Sequence, residues 1–235
     1  HNPYGLAALW AQGDFVARGT LIVMVIMSIG SWYIIVTKLF EQRKLMKSAE
    51  AAARTFWSAG TVQAGIGSLD EGSAFRYVAE SGVKASEHHE GTLVEQIDKH
   101  TWISMSVQRA IDNINSRLQD GLAFLATVGS TAPFVGLFGT VWGVYHALVA
   151  IGMSGAGTLD KVAGPVGEAL IMTGLGLAVA IPAVVGYNAL VRANRVTLSR
   201  LDAFAYELHT FVAMGQPLAA ADESPKVQPL RPAAA

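Results

Sequence analysis

The chain has 235 residues, of which 51% are hydrophobic and 15% are charged, with a formal net charge of −1 and no cysteine. Soluble domains carry about 25% charged residues, so this deficit indicates a membrane protein. The near-neutral charge argues against a nucleic-acid partner. The lack of cysteine excludes disulfides, thiolate metal sites and a cysteine nucleophile.

Three uncharged stretches are long enough to cross a bilayer, which needs roughly 20 apolar residues. They predict an all-α membrane protein whose transmembrane helices, spans 1 to 3, lie at residues 19–37, 121–152 and 168–191. All but two of the 17 lysines and arginines lie on one side of these spans, the exceptions being Arg18 and Lys161. Because positive charge marks the cytoplasmic side, the N-terminus is expected outside and the C-terminus inside.

This topology divides the rest of the chain. The segments are an outer N-terminal segment at 1–18, a cytoplasmic helical domain at 38–120, a short outer loop at 153–167, a cytoplasmic helical extension at 192–214 and a disordered tail at 215–235.

The cytoplasmic segments are expected to be helical. Candidate helices lie at 41–59, ending at Gly60, and at 74–90, and a third begins at Thr92, with a capping-box spacing to Glu95. No strong breaker separates this third helix from span 2, so the two are predicted to form one long helix, and span 3 likewise continues inward. The apolar positions with helical period are Leu93, Ile97, Ile103, Val107, Ile111, Ile114 and Leu118 in the first case, and Leu201, Phe204, Leu208 and Phe211 in the second.

Glu168 precedes an uncharged stretch of 23 residues at 169–191. Holding a charged side chain at the membrane centre costs about 2.5 kcal/mol or more, so acids within spans are interpreted first as ion or proton sites. Desolvation disfavours the charged form of a carboxyl group, so Glu168 is a candidate for taking up and releasing a proton.

Small residues form a seam along span 2 and another along span 3, at alternating steps of four and three residues that keep each seam on one helix face. Such seams let membrane helices approach closely. The predicted helix-packing and pore-lining residues are Gly129, Pro133, Gly136, Gly143 and Ala147 in span 2, and Ala169, Gly176, Ala180 and Ala183 in span 3.

Each seam also holds one threonine, Thr140 in span 2 and Thr173 in span 3. A threonine in a membrane helix can bond the carbonyl one turn back and serve packing alone. Alternatively, Glu168, Thr173 and Thr140 line a proton pathway, a carboxylate followed by two hydroxyl relays.

Two functions therefore remain open, a proton-conducting subunit and a non-conducting oligomeric scaffold. The scaffold explains the seams but not the acid at the start of span 3. A solute transporter is disfavoured, because three spans without an inverted repeat do not build a midplane site within one chain. No phosphate loop, Ser-His-Asp arrangement or HExxH motif occurs, so neither enzyme activity nor a cofactor or metal is expected.

Several runs resemble a known family. GLFGTVWG at 136–143 and GEALIMTGLGL at 167–177, continuing to AIPA at 180–183, are similar to the signatures of the ExbB/TolQ/MotA proton-channel family. LWAQGD at 9–14 and GSWY at 30–33 resemble the ExbB branch most closely. The TolQ branch stays open, whereas MotA proteins have four spans.

The resemblance implies a multi-pass protein of the bacterial inner membrane that assembles as a homo-oligomer, a pentamer, with spans 2 and 3 around a central pore. It implies an ExbD-like single-span partner in that pore and a TonB-like partner, with protons and membrane lipids in contact. The implied role is to energise outer-membrane transport of siderophores, haem or vitamin B12; a TolQ-like role in the Tol-Pal envelope-maintenance motor is the alternative. By position, Glu168 matches the family's functional carboxylate, and Thr140 and Thr173 match its pore threonines.

Overall fold

The computed structural model describes residues 5–89, 97–155 and 157–214. Within these ranges the regular structure is helical, as the sequence predicts. The α-helices are α1 Leu6–Gln12, α2 Phe15–Ala51, α3 Val62–Gly67, α4 Ala74–Glu87, α5 Lys99–Gln119, α6 Leu122–Ser154 and α7 Leu159–Met214, with a π-helical turn at Ala52–Phe56 and a 3₁₀ turn at Trp57–Ala59.

Three helical stretches are long and apolar enough to cross a membrane, namely Phe15–Ala59, Lys99–Ser154 and Leu159–Ala213. They contain the three predicted spans, so the all-α class with three span-capable helices is confirmed. The continuation of the span 3 helix beyond residue 191 is also confirmed, because α7 runs without interruption from Leu159 to Met214.

Two helix boundaries differ from the prediction. The expected single helix through Leu118 and span 2 is interrupted once within the helical stretch Lys99–Ser154. Helix α5 ends at Gln119 and α6 begins after Gly121, whose φ of +82° lies in the left-handed region that favours glycine. The expected loop is helical from Leu159 onward, with Pro165 inside α7. Proline and glycine are tolerated in membrane helices when neighbours satisfy the freed backbone groups, so they are weak breakers there.

Other predicted boundaries agree more closely. The helical run from α2 ends at Gly60, which has a φ of +78°, and the candidate helix at 74–90 ends at Glu87. The start at Thr92 and the tail at 215–235 lie outside the described residues.

The chain divides into two compact units. The first, here the span unit, comprises residues 1–44 and 116–196, and the second, the helical unit, comprises 45–115 and 197–235.

The span unit packs α2, α6 and α7 around an apolar core. The packing is close, since a Cβ placed on Gly30 of α2 would lie 2.6 Å from the ring of Phe124 of α6. The buried core residues are Ile35, Leu122, Leu125, Val128, Ala132, Ala180, Ala183 and Leu190.

The helical unit has an aromatic core in which the ring of Phe204 contacts Phe56, Trp57 and Phe75. Most members of the predicted apolar stripes are buried, namely Ile103, Val107, Ile111 and Ile114, with Leu118 in the span unit, and Leu201, Phe204, Leu208 and Phe211. Ile97 is partly buried and Leu93 lies outside the described residues.

Candidate functional site

Helices α6 and α7 pack antiparallel through their small residues. A Cβ placed on Gly136 would lie 2.5 Å from the carbonyl oxygen of Met172 and 3.0 Å from the Cα of Gly176. Further along, a Cβ on Gly143 would lie 2.9 Å from the Cβ of Ala169. The two backbones are therefore in near contact, which larger side chains would prevent.

The two predicted seams face each other within one chain. Gly129 continues the contact, since a Cβ there would lie 2.5 Å from Val184 Cγ2. Burial follows the seam: Gly136, Ala147, Ala169, Gly176, Ala180 and Ala183 are buried, and Gly129, Pro133 and Gly143 are partly buried. The helix-packing role thus has direct geometric support, while lining of a pore stays a prediction.

Thr140 and Thr173 meet at the centre of this contact. The Thr140 hydroxyl lies 2.9 Å from the carbonyl oxygen of Ala169 and 3.1 Å from that of Gly136, and it hydrogen-bonds the Thr173 hydroxyl. A hydroxyl donates one hydrogen bond and accepts up to two. Thr140 therefore donates to a carbonyl oxygen and accepts from Thr173, which places two rotatable protons in a row between the helices.

Glu168 is close to this pair in sequence but does not bond to it. Its side chain is half-buried and lines a groove of about 400 Å³ on the surface of α7, together with Asp160, Ala163, Gly164, Gly167 and Ile171. Among the described residues, no hydrogen bond or ion pair joins Glu168 to Thr140 or Thr173. Glu168 precedes Ala169, the acceptor of the Thr140 bond, and lies nine residues into α7, not at its first turn.

A second polar cluster was not predicted from the sequence. Asp14 precedes α2 and accepts a hydrogen bond from the backbone N–H of Ala17 at 3.0 Å through Oδ1. Its Oδ2 accepts one from Trp142 Nε1 of α6 at 2.7 Å and lies 3.5 Å from His146 Nε2. The Ala17 N–H is the largest cause that lowers the pKa of Asp14 below its usual 3.8; burial opposes it, and Trp142 and His146 add to it.

The capping role of Asp14 has a sequence signal, because an aspartate directly before a helix is a favoured N-cap. Its contact with Trp142 has none, since the two residues are 128 positions apart.

A third set of polar contacts caps the break between α5 and α6. The last carbonyls of a helix have no partner inside it. Lys38 Nζ donates to the carbonyl of Arg117 at 2.9 Å, and Asn194 Nδ2 donates to that of Leu118 at 2.9 Å. Gln42 of α2 donates in turn to Asn194 Oδ1. Side chains of α2 and α7 thereby satisfy two of the last carbonyls of α5.

Comparison with known proteins agrees with this architecture. The profile of the MotA/TolQ/ExbB proton channel family matches residues 72–203, which include Thr140, Glu168 and Thr173. A biopolymer transport protein ExbB of Xanthomonas campestris is 41% identical over 87% of this chain and 85% of the relative. An ExbB of Neisseria meningitidis is 35% identical over 87% of this chain and 95% of the relative.

A Tol-Pal system protein TolQ of Pseudomonas aeruginosa is 31% identical over 87% of this chain and 91% of its own length. These matches extend along most of the chain and agree with its three span-capable helices. The chain is a multi-pass membrane protein that belongs to the MotA/TolQ/ExbB proton channel family.

Proposed function

We propose that this chain is a motor subunit of the bacterial inner membrane that uses the proton-motive force to energise outer-membrane transport through a TonB-like partner. ExbB relatives of Xanthomonas campestris and Neisseria meningitidis are 41% and 35% identical to it, compared with 31% and 33% for TolQ relatives of Pseudomonas aeruginosa and Haemophilus influenzae. This difference favours the ExbB-like role, in which siderophores, haem or vitamin B12 are the nutrients served.

The proposal includes the assembly, a homopentamer with its N-termini in the periplasm and the segment 38–120 in the cytoplasm. Helices α6 and α7 would surround a central pore that holds the membrane helices of an ExbD-like partner. The exposed faces of these helices support it. Phe134, Val141, Leu170 and Ile181 are each more than half exposed, although the α6–α7 seam is already packed. Apolar patches of this kind are covered by lipid or by other protein.

The observation that carries the proposal is the hydroxyl pair of Thr140 and Thr173 on the carbonyl of Ala169, the residue that follows Glu168. Each hydroxyl can pass a proton by rotating, because it both donates and accepts. Since Glu168 does not bond the pair directly, a water molecule or a carboxylate of the partner helix must complete the transfer. One proton that crosses 100 mV releases about 2.3 kcal/mol, so several protons are needed for a large motion.

The test uses cells that lack their own subunit and express this chain with its partners. Glu168→Gln keeps the size and hydrogen bonding of the side chain but cannot ionise, and we expect it to abolish ferric-siderophore uptake at unchanged membrane abundance. Glu50→Gln, an exposed glutamate of the expected cytoplasmic part of α2, is the matched control and retains uptake. Full uptake by Glu168→Gln would refute a protonating role for Glu168.

The TolQ-like role is the second candidate, because the TolQ relative matches over 91% of its own length. Purification of the tagged chain from native membranes separates the two roles. Recovery of ExbD-like and TonB-like partners supports iron uptake, whereas recovery of TolR-like and TolA-like partners supports envelope maintenance. A non-conducting scaffold predicts, in addition, that function survives both an uncoupler and Glu168→Gln.

A further inference from the structure

Asp14 joins the start of α2 to α6 with two separate oxygens. Oδ1 accepts from the Ala17 N–H at 3.0 Å and caps α2, while Oδ2 accepts from the Trp142 indole at 2.7 Å. The indole also packs against its own helix, 4.4 Å between ring centroids from His146 and 6.4 Å from Phe138. Asp14 therefore holds a side chain whose other contacts are already set by α6.

The same part of α6 is held from a second direction by α7. Thr140 lies two residues before Trp142, which corresponds to about 200° around the helix. It bonds the Ala169 carbonyl and the Thr173 hydroxyl of α7. Between the two anchors, a Cβ on Gly139 would lie 2.7 Å from Met172 Cε of α7 and 3.3 Å from Thr20 Cγ2 of α2. At this level, α6 is therefore held by contacts with α2 on one face and with α7 on the other.

We infer that Asp14 is a positioning residue: through the Trp142 indole it fixes the rotation of α6 that keeps the Thr140 hydroxyl on Ala169 and Thr173. A side-chain atom about 5 Å from the helix axis moves by about 1.7 Å when the helix turns by about 20°. That displacement breaks a hydrogen bond of ordinary length. The inference rests on the proposed function, since it assigns a supporting residue to the threonine pair.

Chemistry separates the positioning role of Asp14 from its capping role. An asparagine can accept from either Ala17 or Trp142, but its second terminal atom is an amide that only donates. Because the two bonds use different oxygens of Asp14, Asp14→Asn in the same orientation loses one of them. Trp142→Phe removes the indole N–H and leaves the carboxylate cap and an aromatic ring in place. Trp10→Phe is the matched control, because Trp10 of α1 lies under the guanidinium of Arg18 of α2 and contacts no residue of α6 among the described contacts.

The test measures the position of α6 directly in the full complex. Because the chain has no cysteine, Ala150→Cys on α6 and Ala163→Cys on α7 give a unique spin-label pair at two exposed positions. Labelled chains are diluted into unlabelled ones so that each oligomer carries one pair. We expect Asp14→Asn and Trp142→Phe to shift or broaden the distance distribution in the same way, and Trp10→Phe to leave it unchanged.

Siderophore uptake is measured on the same variants without labels. Misplacing a reacting group by about 1 Å can lower a rate by up to roughly a hundredfold. We therefore expect uptake to fall by at least about tenfold in Asp14→Asn and in Trp142→Phe, at normal abundance of the protein. The double variant should lose no more than Trp142→Phe alone. The inference would be overturned by unchanged distances or full uptake in these variants. It would also be overturned if the uptake loss of the double variant equalled the product of the two single losses. Failure of the proposed function is distinguishable, because it would show as full uptake by Glu168→Gln, which does not touch this contact.

Discussion

The hydroxyls of Thr140 and Thr173 hydrogen-bond each other across the antiparallel helices α6 and α7. Thr140 also lies within hydrogen-bond distance of the carbonyls of Gly136 and Ala169, so its single proton has alternative acceptors. The Thr140 proton can therefore move between two carbonyl oxygens while Thr140 keeps its bond to Thr173. This property suits a relay that passes protons repeatedly through an apolar surrounding.

Thr173→Val tests the relay by removing one hydroxyl while keeping the branched shape. Hydrogen bonds between membrane helices contribute about 0.6 kcal/mol on average, so we expect a loss of stability below about 2 kcal/mol. Uptake should nevertheless fall to background, whereas Thr173→Ser, which keeps the hydroxyl, should retain a substantial part of it. Thermal unfolding of the purified chain and siderophore uptake measure the two effects. Normal uptake by Thr173→Val would show that the hydroxyl is structural only.

Gly176→Ala tests the close packing of α6 and α7. Its Cβ would lie 2.6 Å from the carbonyl oxygen of Ala132 and 3.0 Å from the Cα of Gly136, so the helices must separate. Overpacking of this kind costs about 1–3 kcal/mol. Gly174→Ala on the same helix is the control, because its Cβ meets nothing within 4 Å. We expect a lower melting temperature for the first variant and an equal or higher one for the second. Equal melting temperatures would contradict the packing.

Gly121→Ala tests the break between α5 and α6. Gly121 and Gly60 have φ values of +82° and +78°, so alanine is strained by about 1–2 kcal/mol at either position. Only at Gly121 would the new Cβ also crowd Ile34, whose Cγ2 would be 3.0 Å away. We therefore expect Gly121→Ala to lower the melting temperature more than Gly60→Ala. The reverse order would indicate that Ile34 adjusts freely.

The lowered pKa of Asp14 predicts that the stability of the folded chain depends on pH. The Ala17 N–H lowers the pKa of its carboxyl below the ordinary 3.8, so the carboxylate stabilises the folded chain above that pH and the contribution is lost as the pH falls through the folded pKa. Protonated aspartate resembles asparagine. The wild-type chain should thus have a higher melting temperature than Asp14→Asn near neutral pH, and this difference in melting temperature should shrink below pH 3.8. A difference that is constant with pH would show that the charge is irrelevant.

Much of the fold follows from periodicity and length. Apolar residues such as Ile103 and Leu208 recur at helical spacing and are buried, and small residues such as Gly136 and Gly176 recur at the spacing of a contact seam. The glycine break at Gly121 escaped prediction because glycine is common within membrane helices, where only its φ distinguishes a break from a packing position.

The candidate site was predictable only in part. Thr140 and Thr173 lie on seams that the spacing reveals, so their meeting could be anticipated. The bond from Trp142 to Asp14 depends on the register of α2 against α6, which one sequence does not encode locally. The capping of α5 by Asn194 is hidden in the same way, because its partner is a backbone carbonyl.

The most direct test of the central claim is proton flux through the chain and its ExbD-like partner, reconstituted in lipid vesicles with a pH-sensitive dye inside. Under an imposed pH gradient and membrane potential, the wild-type complex should acidify the lumen well above the rate of protein-free vesicles. Glu168→Gln should reduce that rate by at least about tenfold, as expected when a positioned proton-transfer group is lost. Equal rates for the two proteins would contradict a proton pathway that includes Glu168.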